Sequence, residues 1–240
     1  MTTTLLPDLN DPRYLDEVGW FLYHERYERH LFDGSYDDER RAFSRLLLEE
    51  VRTCLGADAA RLEQMTVVTI GCGCTGDLSA WPCAAKIAVD PLLHVYQKLG
   101  LVMTDEPGTP STVNLAVGIE NLPLLDASAD LVVCRNALDH IPQPDVAVQQ
   151  MWRIVRPDGH VFVSVDLGGQ PTPDEPTVFS DESLRDVIGT CFDVVRSIAA
   201  RSHSRNRDSS VRLLARRKPL PTSALDKDAV LQAYLTRVQA

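Results

Sequence analysis

Thr66-Val-Val-Thr-Ile-Gly71-Cys-Gly73-Cys-Thr-Gly76 is the stretch on which the fold turns. Five residues, mostly β-branched, read as a strand, and three glycines at G-x-G-x-x-G spacing follow at once. Such a loop lets the backbone turn tightly and come close to a nucleotide. By itself the signal is weak, because dehydrogenases and many ligand-free strand-to-helix turns share it. Its surroundings give it weight.

Downstream, short apolar runs alternate with helix-length segments, the pattern of parallel β/α units. Residues 87–89 read as the second strand, ending at Asp90. Pro91 then opens a helix through Leu92, Leu93, Tyr96 and Leu99 that stops at Gly100. The third strand is expected at 114–117. The fourth, 131–134, is the unbroken apolar run required of a sheet covered on both faces. A helix over 146–155 ends in Arg156-Pro-Asp-Gly159, which turns the chain into a fifth strand at 160–165. Two more strands, near 192–197 and 211–216, are joined by a polar segment too short for a helical crossover, so they pair antiparallel. The segment between Gly76 and Ile87 is short and contains Trp81-Pro82, so its helix is expected to be truncated. Upstream, helices over 12–30 and 36–55 flank the break Asp33-Gly-Ser35.

The expectation is an α/β fold: a Rossmann-like, seven-stranded, mainly parallel sheet with an antiparallel edge hairpin and an N-terminal helical cap. The cap spans 1–60, the core 61–218 and a tail 219–240, with a short helix over 226–238.

Composition narrows the function. The chain has 240 residues, 44% of them hydrophobic, and a net charge of −10. That charge argues against broad binding to nucleic acid or an anionic membrane, which needs clustered cations. Arg196, Arg201, Arg205, Arg207, Arg212, Arg216, Arg217 and Lys218 do crowd together, as a solvated hairpin edge or as an anion-binding rim. The start lacks the pattern of a signal peptide, and no run approaches the roughly 18 apolar residues of a membrane span. A cytoplasmic protein is expected. Cys54, Cys72, Cys74, Cys83, Cys134 and Cys191 lie mostly in apolar runs, where a thiol acts as a small hydrophobe. Without a CxxC pair or a histidine near Cys72, Cys74 and Cys83, no metal is expected.

Asp90 suits either of two roles. A carboxylate ending the second strand can accept hydrogen bonds from both ribose hydroxyls of a nucleoside, or it can cap the next helix. With Asp90 in place, residues 65–167 resemble the class I S-adenosylmethionine-dependent methyltransferases, in particular the type 11 group acting on menaquinone- and natural-product-like small molecules. Val67-Val-Thr-Ile-Gly-Cys-Gly73 is similar to the family's first motif, and Asp90 matches its ribose carboxylate. Glu120-Asn-Leu-Pro123 with Ala129-Asp-Leu-Val132 looks like the approach to the fourth strand. Cys134-Arg-Asn-Ala-Leu-Asp-His-Ile141 is similar to the segment facing the methionine part of the cofactor. Arg153-Ile-Val-Arg-Pro-Asp-Gly159 resembles the turn into strand five. The family usually carries an acid two residues before the first glycine, where this chain has Thr69, which bears on cofactor affinity.

The resemblance implies S-adenosylmethionine as cofactor, contacted by Gly71, Cys72, Gly73, Gly76, Asp90, Pro91, Ile119, Glu120, Arg135 and Asn136. His140, with Asp139 as partner, is the candidate general base, because both follow the fourth strand near the expected methyl group. Their competing roles are pocket shaping for His140 and helix capping for Asp139. The cap offers Tyr23, His24 and Tyr27 to the acceptor, and 171–175 after strand five offers a second wall. The function implied is methyl transfer to a small molecule, with oxygen or nitrogen acceptors favoured, in a setting such as bacterial secondary metabolism. The alternatives are a non-catalytic scaffold with this fold, a protein or RNA methyltransferase and, less well fitted, a dehydrogenase. The oligomeric state is left open, with a homodimer as one option.

Overall fold

The structure, a computed structural model, describes residues 11–27, 36–74, 76–200 and 209–219. Two helices, α1 (Pro12–Tyr27) and α2 (Tyr36–Leu55), precede β1 (Thr66–Ile70) and β2 (Ala85–Val89). Then come α3 (Leu93–Lys98), β3 (Thr112–Leu115), β4 (Ala129–Arg135), α4 (Pro144–Ile154), β5 (Val155–Leu167), α5 (Asp181–Gly189), β6 (Phe192–Ala200) and β7 (Ser209–Arg217). The seven strands form one sheet in the order β3-β2-β1-β4-β5-β7-β6. The pairs from β3 through β5 are parallel, and β7 runs antiparallel to both β5 and β6. The strand order reverses between β1 and β4, and in open sheets ligands bind at the carboxyl ends beside such a reversal.

Apolar cores cover both faces, which is why β4 reads as a continuous hydrophobic run: Leu131, Val132, Val133 and Cys134 are all fully buried. On one face α4 and α5 contribute Val148, Met151, Leu184 and Ile188. On the other, Leu47, Leu48 and Val51 of α2 pack with Val67, Leu131, Val133 and Phe162. Thus α2 is a layer of the core as well as part of the N-terminal segment. It also fills a gap. Among the described residues no helix lies between β1 and β2, consistent with the expected truncation there. α2 is tied to that connection through Ser44, whose hydroxyl donates to Asp77 O (2.8 Å) and accepts from Ala80 N–H (3.1 Å). The buried indole of Trp81 donates to Ser44 O at 3.3 Å.

Several expectations shift. The third strand starts at Thr112, two residues before the expected 114. Asp105 pins it there, accepting from Thr112 N–H (2.7 Å) and its hydroxyl (2.6 Å). The fifth strand begins at Val155, and Arg156–Gly159 runs within it past an irregularity opposite Ala129/Leu131. Gly159 fits because a Cβ there would stand 2.8 Å from Asp130 O. α5 was not expected from the sequence. Its start carries a capping box, Ser180 and Ser183 bonding reciprocally.

Among the described residues, several of the hairpin cations engage the protein itself. Arg212 pairs with Glu50 of α2 at 2.8 Å, and Arg196 donates to Thr53 O. Arg217 donates to Val155 O at 2.7 Å and stacks over Trp152. The remaining segment 201–208 and the tail helix expected over 226–238 lie outside the described residues. Among the described residues no helix is long and apolar enough to cross a membrane.

Candidate active site

At the carboxyl ends of β1, β2 and β4 the chain forms an open cleft of about 150 Å³. Of the three loop glycines, Gly71 lines it. Gly71 takes φ +67°, and a Cβ there would lie 2.3 Å from Ala137 Cβ, so both conformation and space demand glycine. Its N–H donates to Val89 O at 2.8 Å, joining the end of β1 to that of β2. After β4, Asn136 also takes a left-handed conformation (φ 46°), a state asparagine tolerates better than most residues. Its N–H donates to Ser164 O at 2.7 Å.

Asp90 organises the opposite lip. One carboxylate oxygen accepts from Gly73 N–H at 2.9 Å and the other from Leu92 N–H at 2.8 Å. It therefore braces the glycine loop and caps the turn into α3 at once. Burial pushes its carboxyl up to about 6, against the opposing effect of these two N–H groups.

Of the residues singled out in the sequence, Gly71, Asp90, Pro91, Ile119, Glu120, Asn136 and His140 all line this one cleft. Cys72, Gly73 and Gly76 line a separate, much smaller cavity of about 20 Å³, with Asp77 and Ala88. Arg135 is engaged elsewhere, 3.7 Å from Asp77 and over the Phe43 ring. Thr69 is fully buried, and its hydroxyl donates to Asp77 Oδ2 at 3.4 Å. A carboxylate thus stands beside this position after all, brought by the loop rather than by the strand.

His140 sits between two acids, with Nδ1 3.8 Å from Glu17 and Nε2 3.9 Å from Glu175. Asp139 is buried, and its carbonyl accepts from Thr177 N–H at 3.2 Å. Donor atoms of Asp139, His140 and Glu175 lie within 4.8 Å of one another. The cysteines form no such group among the described residues. Burial pushes the Cys74 and Cys83 thiols up to about 11, leaving them protonated and apolar.

Tyr23, His24 and Tyr27 fall on α1, and their side chains lie outside the described residues. Sequence reasoning missed Tyr14 and Glu17 of the same helix, which line the cleft together with Asp174 of the expected 171–175 wall. The signal for the first two was available: Tyr14, Val18 and Phe21 make an apolar stripe, and Glu17 sits beside it. Burial and the nearby Asp90, Asp174 and Glu175 push the Glu17 carboxyl up to about 7, with His140 opposing.

The fold is a doubly wound α/β sheet with a cleft at the strand reversal, where open sheets of this kind bind ligands. Residues 68–163 match the family model of a methyltransferase domain. Among curated proteins, the ubiquinone biosynthesis O-methyltransferase of Paracidovorax citrulli is 34% identical over 108 residues, 44% of this chain and 45% of that protein. A probable chloroplastic tocopherol O-methyltransferase of Oryza sativa is 26% identical over 165 residues, 64% of this chain and 45% of that protein. The chain spans less than half the length of these two relatives. Among solved structures, the Burkholderia thailandensis 1,6-didemethyltoxoflavin-N1-methyltransferase, crystallised with 1,6-didemethyltoxoflavin and S-adenosylhomocysteine, superposes with a TM-score of 0.56 at 17% identity. The match covers 86% of this chain and 89% of that one.

Proposed function

We propose that the chain is an S-adenosylmethionine-dependent methyltransferase acting on a small-molecule acceptor, with an oxygen nucleophile favoured. The observation that carries this reading is the convergence of Gly71, Asp90, Ile119, Asn136 and His140 on one cleft. The residues fit the cofactor. Asp90 offers a buried carboxylate to ribose hydroxyls, Ile119 with Val117 and Ile141 offers apolar wall to a purine, and Gly71 leaves room for close backbone approach. The two O-methyltransferase relatives support an oxygen acceptor.

When bound, the cofactor supplies an electrophilic methyl carbon on a sulfonium. The protein's task is then alignment, exclusion of water and, for a hydroxyl acceptor, removal of a proton. α1 roofs the cleft with Tyr14 and Glu17, and the loop after β5 closes the mouth with Asp174. His140 Nε2 takes the acceptor proton. Glu17 and Glu175 on either side stabilise the imidazolium that forms.

The test is direct. The purified chain is incubated with methyl-labelled S-adenosylmethionine and a panel of phenols, catechols and amines. Label in a phenolic or catecholic product supports the reading. A folded protein that neither binds the cofactor nor labels any acceptor contradicts it and leaves a scaffold.

A further inference from the structure

Four of the described residues lining the cleft carry carboxylates, Glu17, Asp90, Glu120 and Asp174, and none is a lysine or arginine. A low-dielectric cleft lined by one sign of charge favours ligands of the opposite sign over neutral counterparts. Glu17 differs from the other three in origin. It hangs from α1, whereas the others belong to segments following the sheet strands. α1 is held down by Phe21, whose ring meets Tyr96 edge-on at 5.5 Å and stands against Gly73. Glu17 is thereby fixed over the cleft, 3.8 Å from His140 Nδ1.

We propose that Glu17 lets the α1 lid read the charge of the cofactor, so that the cationic sulfonium form is held in preference to the neutral thioether product. The proposal rests on reading the cleft as an S-adenosylmethionine site. In the transfer, the methyl–sulfur bond breaks and its electron pair stays on sulfur, while the acceptor oxygen forms the new bond to carbon and loses its proton to His140. The sulfur ends without positive charge, and the attraction to Glu17 falls away as product forms. Glu17 is a specificity residue that orders the affinities of the two cofactor forms. The titratable groups facing it are His140, Asp90, Asp174 and Glu175, and with its carboxyl at about 7, a bound cation draws it to the ionised form. Cofactor binding near neutral pH then releases a proton.

The experiment is isothermal titration of the full chain at pH 7 with S-adenosylmethionine, S-adenosylhomocysteine and sinefungin, whose amine replaces the sulfonium. Two buffers of different ionisation enthalpy report the protons released. The wild type should hold both cations about tenfold more tightly than the thioether, at the lower end for a charge-assisted contact. Glu17→Gln should weaken both cations by about tenfold, leave the thioether within about twofold and abolish proton release. Glu17→Asp, which keeps the charge, should retain the preference. Equal weakening of all three ligands by Glu17→Gln, or no change in any, overturns the proposal. A wild type that binds all three equally also overturns it while sparing the cofactor reading. A folded wild type that binds none overturns both.

Discussion

Gly71→Ala isolates the closest approach in the cleft. The new methyl would force alanine into a left-handed backbone, at a cost of about 1 kcal/mol. It would also stand 2.3 Å from Ala137 Cβ, where an ordinary carbon contact is about 3.5–4 Å. One segment must therefore move by more than about 1 Å, and such overpacking costs about 1–3 kcal/mol more. Gly100→Ala is the matched control. Gly100 has φ +73° and open space where its Cβ would go, so only the backbone cost of about 1 kcal/mol applies. Urea unfolding should give losses of about 2–4 kcal/mol for Gly71→Ala and about 1 for the control. In a chain of this size each kcal/mol lowers the melting midpoint by about 2–4 °C. Ala137 lines the cleft, so ligand affinity should fall in the first variant only. Equal destabilisation by the two substitutions would refute the close-packing argument.

Three other outcomes follow from the same geometry. Thr69→Asp, which restores the family's usual acid, should destabilise the fold by about 3 kcal/mol or more, because it buries a second carboxylate beside Asp77; a variant as stable as wild type in urea would contradict this. Asp90 and Glu17 hold protons more tightly folded than unfolded, so stability of the ligand-free chain should fall as pH rises from about 4 to about 7. Asp90, at about 6 against 3.8, accounts for about 3 kcal/mol of that fall, and unfolding of wild type and Asp90→Asn across this window should differ in slope; parallel curves would count against it. His140→Gln should lower kcat by about 10²-fold or more with cofactor affinity little changed, whereas an unaltered kcat would mean that alignment alone suffices.

The sheet was legible because its strands carry their own signatures. β1 falls at the residues its β-branched run marks, whereas the strand order behind the cleft emerges only from the pairing. Asp90, Ile119 and His140 were legible because each sits at a fixed place after a strand. Other features depend on contacts between distant segments. That α2 replaces a helix after β1 depends on Ser44 and Trp81 meeting across 37 residues. Arg135 read as a cofactor contact, but Asp77 and Phe43 engage it from two other segments. Glu17 read as one more charge on an amphipathic helix, and its place in the cleft follows from how Phe21 seats that helix. α5 had a local signal in Ser180 and Ser183, but its polar residues masked the apolar spacing of Leu184 and Ile188.

The most direct test of the account is a crystal structure of this chain grown with S-adenosylhomocysteine. The account predicts the nucleoside in the cleft between β1, β2 and β4, with its ribose hydroxyls on Asp90 and its purine against Ile119. A fully occupied ligand seated elsewhere, or well-formed crystals whose cleft stays empty at saturating concentration, would contradict it.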